Sequence, residues 1–137
     1  MRLRVMLAVG AVLATLCATP AIADPCEAKL PRKGAVFSGV VRYVGDGDSL
    51  CVGKTKDPST WIEVRVENFY APELHDEGGK EARDTLRRLV LGKKATCIAN
   101  NRTYDRIVAT CSVGGITIGD LMRRNGIKEG GRGYPAR

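Results

Sequence analysis

The chain has 137 residues, with 22 lysines and arginines, 15 acidic residues and a formal net charge of +7 at pH 7. That length suits a single domain, and one histidine without any CxxC motif argues against a zinc site made of cysteine and histidine. The positive charge favours an anionic partner such as nucleic acid, an acidic polysaccharide or a membrane surface, and does not choose among them.

The first 23 residues have the pattern of a secretory signal peptide. "MRLR" is a basic start, "VMLAVGAVLATLCA" is an apolar segment too short to span a bilayer comfortably, and small residues lead to Ala23. We expect cleavage before Asp24, which leaves residues 24–137 as one domain with a net charge of +5; an uncleaved N-terminal anchor is the alternative. The prediction is a secreted or periplasmic monomer with no membrane span after cleavage.

The rest of the chain predicts short strands and two helices. In chain order these are an extended lead-in (24–34), strands (35–44 and 49–52), a loop (53–60), a strand (61–67), a helix (80–91), two strands (93–99 and 106–113) around a turn (100–105), and a short strand with a final helix (116–126). Many short strands with few helices predict a small closed or half-closed barrel capped by helices. The glycine-rich tail after residue 129 is expected to be mobile.

The strand "WIEVRVE" alternates cleanly between apolar and charged residues. Because successive side chains of a strand point to opposite faces, the charged set lies on the face away from the core. Arg65 is therefore predicted to be held by its strand yet open to a ligand. The plainer alternative is a solvated arginine paired with Glu63 or Glu67.

Four cysteines remain once the signal peptide is removed, and an even number in an exported small domain predicts two disulfides. A hairpin that turns near Tyr104 places Cys97 and Cys111 seven residues on either side of the turn, facing each other across the ladder. We therefore predict the disulfide Cys97–Cys111, which leaves Cys26–Cys51 as the second.

Five stretches of the chain, in this order, resemble the staphylococcal nuclease (thermonuclease) family: "VGDGDSL", "VRVENFYAPE", "GGKEARDTLRRLVLGKK", "NRTYDRIVA" and "IGDLMRRNGI". The resemblance covers nearly all of residues 40–127. It implies an α+β, mainly β fold, namely a five-stranded OB-type barrel with two or three packed helices. It also implies calcium-assisted hydrolysis of phosphodiester bonds in DNA and RNA.

The same resemblance assigns roles to individual residues. Asp48 matches a carboxylate ligand of the calcium ion, and the backbone carbonyl of Ala71 matches another ligand. Glu73 matches the acid that positions or deprotonates the attacking water, while Arg65 and Arg106 match the arginines that bind the phosphate. These residue types suit the chemistry, because a hard cation and forked guanidiniums neutralise the charge that in-line attack concentrates on the phosphoryl oxygens.

Three further positions bear on the resemblance. Tyr104 matches a tyrosine near the bound nucleotide. Tyr70 stands where the family usually has a second acidic ligand, so the ion loses a charged partner. Asp46 or a water molecule could replace the missing ligand. Alternatively, the site binds calcium only at high concentration.

Several of these residues also have plainer explanations. Asp46 and Asp48 would suit an ordinary surface turn, Glu73 an exposed loop, and Arg106 a simple pair with Asp105. The double arginines at 87–88 and 123–124 suit exposed helix faces that attract nucleic acid only weakly.

Three functions therefore compete. The first is an exported calcium-assisted endonuclease that cleaves DNA, RNA or both. The second is a weak or inactive module of the same fold that binds nucleic acid or another polyanion, such as an envelope polysaccharide. The third is a structural, disulfide-rich envelope protein.

Overall fold

The computed structural model describes residues 24–134, so the predicted signal peptide (residues 1–23) lies outside the described residues. The strands of the described part are β1 (Val36–Asp46), β2 (Ser49–Gly53), β3 (Trp61–Val66), β4 (Lys94–Thr103), β5 (Arg106–Val113) and β6 (Ile116–Thr117). The helices are α1 (Gly79–Val90) and α2 (Ile118–Arg124), and a short 3₁₀ turn covers Pro58–Thr60.

The strands form a closed barrel. Their order is β3-β2-β1-β4-β5-β6, with antiparallel neighbours, and a parallel pairing of β3 with β5 closes the first five strands on themselves. The two-residue strand β6 pairs with β5 beyond the closed barrel and leads directly into α2. The predicted α+β, mainly β architecture, a five-stranded OB-type barrel with packed helices, is confirmed.

The core fills the barrel and continues beneath α1. Along β5 every second side chain is buried, as expected for a strand with one face in the core. On α1 the buried residues Ala82, Leu86 and Val90 recur at a spacing of four, which turns one helix face onto the barrel. Gly92 has a φ of +78°, a left-handed conformation that ends the helix where the sequence predicted.

The turn between β1 and β2 packs tightly against α1 and the loop that follows β3. A Cβ atom added at Gly47 would overlap the side chains of Ala71 and Ala82. Glycine is therefore required here for close approach, and it fixes where the acids on either side of it lie.

The β4–β5 hairpin is longer than the sequence predicted. Strand pairing continues to Thr103 opposite Arg106, so residues 100–103, predicted as part of the turn, lie in β4. The polar side chain of Asn100 stands at a bulge and donates hydrogen bonds to Glu67 and Thr110. The polar composition of residues 100–103 predicted a turn. In the structure Asn100 finds its hydrogen-bond partners on neighbouring strands, so this polar segment can continue β4.

Both predicted disulfides are present, Cys97–Cys111 across the β4–β5 ladder and Cys26–Cys51 between the lead-in and β2. Two disulfides in so small a domain are typical of proteins that fold in an oxidising compartment. Among residues 24–134 no helix is long and apolar enough to cross a membrane.

The Cys97–Cys111 bond should contribute strongly to stability, because both cysteines are fully buried and the bond closes a hairpin. Replacing both by alanine should lower the free energy of unfolding by about 3 kcal/mol, since the unfolded chain regains the entropy of the open loop. Urea denaturation of the mature protein measures this. A loss below about 1 kcal/mol would contradict the expectation.

Candidate active site

A cleft of about 850 Å³ opens between the β1–β2 turn, the loop after β3, α1 and the C-terminal tail. Four carboxyl and four guanidinium groups line it: Asp24, Asp46, Glu73, Asp76, Arg83, Arg87, Arg106 and Arg132. Three residues singled out in the sequence, Asp46, Glu73 and Arg106, thus reach one cavity from three different elements. A cavity lined by both signs of charge can bind an anionic ligand through its guanidinium groups and place a carboxylate of the protein beside that ligand as a base.

The β1–β2 turn at the edge of this cleft is held by Asp46. One carboxylate oxygen, Oδ1, accepts hydrogen bonds from the backbone N–H of Asp48 at 3.0 Å and from the hydroxyl of Ser49 at 2.8 Å. This is the usual way in which an aspartate caps a turn. The Oδ1 atom of Asp46 therefore has the role expected in an ordinary surface turn, and this role does not involve its second oxygen.

Asp48 and Arg65 form a largely buried pair, and neither residue lines the cleft, although Asp48 lies between Asp46 and Ser49, which do. Arg65 Nη2 is 3.2 Å from Asp48 Oδ2, and that oxygen also accepts the N–H of Ala71 at 2.9 Å. Arg65 further donates to the backbone carbonyls of Val66 and Phe69. The partner of Arg65 is thus Asp48, neither Glu63 nor Glu67, and its guanidinium is engaged within the protein rather than open.

Burial and charge act on Asp48 in opposite directions. The residue is only 7% exposed, and this desolvation raises the pKa of its carboxyl group to about 7. The Arg65 guanidinium and the N–H of Ala71 lower the pKa, while the nearby Asp46 raises it. Since desolvation prevails, Asp48 can exchange a proton near neutral pH.

Tyr70 stands beside this pair and packs against the guanidinium. The centre of its ring is 5.2 Å from Arg65 Cζ, a cation–π arrangement. The ring also meets Tyr134 edge to face at 5.9 Å. At the position where the staphylococcal nuclease family usually has an acid, this chain has a tyrosine whose ring contacts Arg65.

The C-terminal tail, expected to be mobile, is docked on the loop after β3. Gly130 and Gly131 donate their N–H groups to the carbonyl of Tyr70, and Glu129 accepts the N–H of Tyr70. A Cβ atom added at Gly131 would overlap the carbonyl oxygen of Ala71. The carbonyl proposed as an ion ligand is therefore in contact with the tail.

Tyr104 lies apart from these groups. It forms the tip of the β4–β5 hairpin with a φ of +45°, and its side chain is 100% exposed. It is not among the residues that line the cleft. A role for Tyr104 in holding a nucleotide stays a prediction.

Glu63 is a buried acid that the sequence pattern placed on an open face. It is 9% exposed, because the lead-in runs along this part of the barrel, with Ala28 donating to the carbonyl of Trp61. Burial is the first cause that raises the pKa of Glu63 to about 7, followed by a hydrogen bond with Asp24 and the charges of Asp105 and Asp24, while the charge of Arg106 lowers it. Glu63 lies opposite Cys51 in the β2–β3 ladder. The predicted Cys26–Cys51 bond, which ties the lead-in to β2, was therefore the signal that the lead-in covers Glu63.

Sequence reasoning also missed part of the basic lining of the cleft. Arg83 and Arg132 were not singled out, and Arg87 was predicted only as part of an exposed helix face. The spacing of four between Arg83 and Arg87, which places both on one side of α1, was the available signal.

The donors around Asp48 suit a hard cation only in part. The groups there are carboxylate, hydroxyl and carbonyl oxygens, the ligands that calcium prefers. Within residues 24–134, however, no group of three His, Cys, Asp or Glu side chains is placed to hold a metal ion. The types of oxygen around Asp48 therefore suit calcium, but their arrangement does not supply a cluster of three acidic ligands.

The chain matches no protein-family model. The fold is thus established by the structure, while membership of the nuclease family stays a prediction that rests on the sequence resemblance.

The raised pKa of Glu63 predicts a pH-dependent stability. Between about pH 4.5 and pH 7 the folded state keeps a proton on Glu63 that the unfolded state has lost, so stability falls as pH rises. Glu63→Gln, neutral and similar in shape, should therefore be more stable than the wild type by on the order of 1 kcal/mol near pH 8. Urea denaturation at both ends of the range checks this. An equal gain at about pH 4 would contradict it, because both residues are neutral there.

The docked tail predicts a specific requirement for glycine. Gly131→Ala should displace the tail, because the new methyl group overlaps the Ala71 carbonyl, and amide exchange in the tail should accelerate about tenfold. Gly130→Ala is the matched control, since a Cβ atom there meets nothing within 4 Å. Hydrogen exchange read by mass spectrometry distinguishes the two. Equal protection of the tail in both variants would show that the contact is dispensable.

Proposed function

We propose that the protein is an exported, calcium-assisted endonuclease that cleaves internal phosphodiester bonds of nucleic-acid strands. The observation that carries the proposal is the shared cleft of Asp46, Glu73 and Arg106, next to the buried Asp48–Arg65 pair. Export is supported by the two disulfides, and the sequence resemblance supports the chemistry.

In this proposal Glu73 acts on the attacking water. It is half-buried at the cleft wall and makes no ion pair with a described residue, so its carboxylate is available to accept a proton. A positioned general base of this kind typically contributes a factor of about 10² to 10⁴. The water attacks phosphorus in line with the leaving oxygen, which departs as the opposite P–O bond breaks.

Arg106 stabilises the charge that develops on the phosphoryl oxygens. It forms no salt bridge within residues 24–134, although its charge acts on the carboxyl group of Glu63, whereas Arg65 already binds Asp48 and two carbonyls. A guanidinium in such a place donates two parallel hydrogen bonds to an oxyanion. Arg106 is therefore the arginine on which the proposed chemistry mainly depends, and Arg65 in addition holds Asp48.

Calcium would be held by Asp48, Asp46 and the carbonyl of Ala71. When bound, the ion supplies positive charge that offsets the charge on the phosphate. With two carboxyl groups and no third acid converging with them in the described part of the chain, we expect weak binding, of the order of 10⁻⁴ to 10⁻³ M, as in many extracellular modules.

A second candidate is a module that binds a polyanion without cleaving it. The contact of Gly131 with the Ala71 carbonyl and the Tyr70 ring beside Arg65 favour it, because both weaken the ion site. It uses the same cleft and the same guanidinium groups. The two candidates differ only in whether the phosphate is attacked.

The test is cleavage of labelled DNA and RNA by the mature protein, with millimolar calcium and with a chelator. We expect cleavage that the chelator abolishes, and a loss of about 100-fold or more in Glu73→Gln and in Arg106→Ala. Glu77→Gln and Arg102→Ala are matched controls, since both residues are exposed, lie near the mutated positions and do not line the cleft.

The outcomes separate the candidates. Wild-type activity in both Glu73→Gln and Arg106→Ala would refute the nuclease proposal. Salt-sensitive binding of the same oligonucleotides without cleavage, with activity restored by Tyr70→Asp, would favour the binding module with a defective ion site. Absence of both binding and cleavage would leave only a structural role.

A further inference from the structure

Part of the basic lining of the cleft has no task in the proposed reaction. Arg83 and Arg87 project from α1 and Arg132 from the tail, while Arg106, which serves the cleaved phosphate, comes from β5. The cleft therefore carries more guanidinium groups than one phosphodiester can engage. Four carboxyl groups line it as well, so the arginines are not part of a uniformly positive surface.

The two helical arginines are spaced along one flank of α1. Ala82 and Leu86 are buried in the core, and the residue that follows each of them, Arg83 and Arg87, turns toward the cleft. Four residues of helix advance by about 6 Å along the axis. That separation is comparable to the distance between consecutive phosphates of a polynucleotide strand.

These arginines are available to a ligand. Arg87 and Arg132 form no ion pair with any residue from 24 to 134. Arg83 is paired at 2.9 Å with its neighbour Asp84, but that carboxylate is 63% exposed. A solvent-exposed pair of this kind contributes little and exchanges easily for a phosphate.

We propose that Arg83, Arg87 and Arg132 form a phosphate track that binds the phosphates on either side of the one held by Arg106. The ligand is then a single polynucleotide strand with several consecutive phosphates, rather than a mononucleotide ester. Arginine suits this task, because its planar fork matches two phosphate oxygens at once. The inference rests on the proposed function, since it takes the phosphate at Arg106 as its reference point.

Binding, measured without cleavage, tests the track separately from the reaction. Fluorescence anisotropy of a labelled single-stranded DNA of about twelve nucleotides, in chelator, gives the affinity over a range of salt concentrations. Arg83→Gln, Arg87→Gln and Arg132→Gln should each weaken binding and reduce the slope of log K against log salt by about 0.7. The three variants should unfold at wild-type temperatures, because their side chains lie at the surface of the cleft.

Arg88→Gln is the matched control. Arg88 is the next residue on α1, is exposed, does not line the cleft, and its replacement changes the net charge by the same amount. It should leave the salt slope unchanged. An equal slope change in Arg88→Gln and Arg87→Gln would overturn the track, because the effect would then come from overall charge.

Ligand length and type give the remaining outcomes. A dinucleotide with a single phosphate should bind equally to the wild type and the three track variants, whereas the longer strand should not. Failure of the longer strand to bind, or slope changes seen only with a sulfated oligosaccharide, would overturn the choice of a polynucleotide. If Glu73→Gln and Arg106→Ala both cleave normally while the track variants lose slope, the catalytic proposal fails and the track stands. If both of those variants lose cleavage while the track variants keep the wild-type slope, the track alone is refuted.

Discussion

A single buried ion pair holds the candidate site in its shape. The carboxylate of Asp48 contacts Arg65 of β3 at 3.2 Å and the N–H of Ala71 at 2.9 Å, and so joins the β1–β2 turn, a barrel strand and the following loop. Such a pair adds little net stability, but loss of Arg65 would remove the charge that lowers the pKa of the Asp48 carboxyl group, which would then be protonated over a wider pH range. The position of Glu73, two residues beyond Ala71, depends on this contact. Arg65 and Asp48 thus have a structural task that comes before any chemical one.

The pair also explains how a tyrosine can stand at position 70. An acid there would compete with Asp48 for the guanidinium of Arg65, and two carboxylates close together raise the pKa of one of them. The ring of Tyr70 instead meets the face of the guanidinium at 5.2 Å and leaves its N–H groups to Asp48 and the carbonyls. Tyr70 therefore supports the pairing of Arg65 with Asp48 without adding a second carboxylate beside it.

The features that the sequence predicted depend on neighbours along the chain or across a ladder. Alternation located β3, glycine ended α1, and hairpin register paired Cys97 with Cys111. The features that it missed depend on distant segments. The lead-in covers Glu63, and whether Arg65 meets Asp48 or a ligand cannot be read from its own strand. The tail illustrates the same limit, because a glycine-rich composition predicts mobility, but the absence of a side chain is also what lets Gly131 approach Ala71.

Net charge is a poor guide to what this cleft binds. The predicted mature chain carries +5, but the cleft itself presents equal numbers of carboxyl and guanidinium groups. Over distances longer than about 8 to 10 Å these charges largely cancel or are screened, so long-range attraction alone would not select a ligand here. Selection must come from short, forked contacts, which depend on the spacing of the arginines along α1 and the tail. A ligand whose negative charges repeat along a chain can make several such contacts at once, and an anion with a single charge cannot.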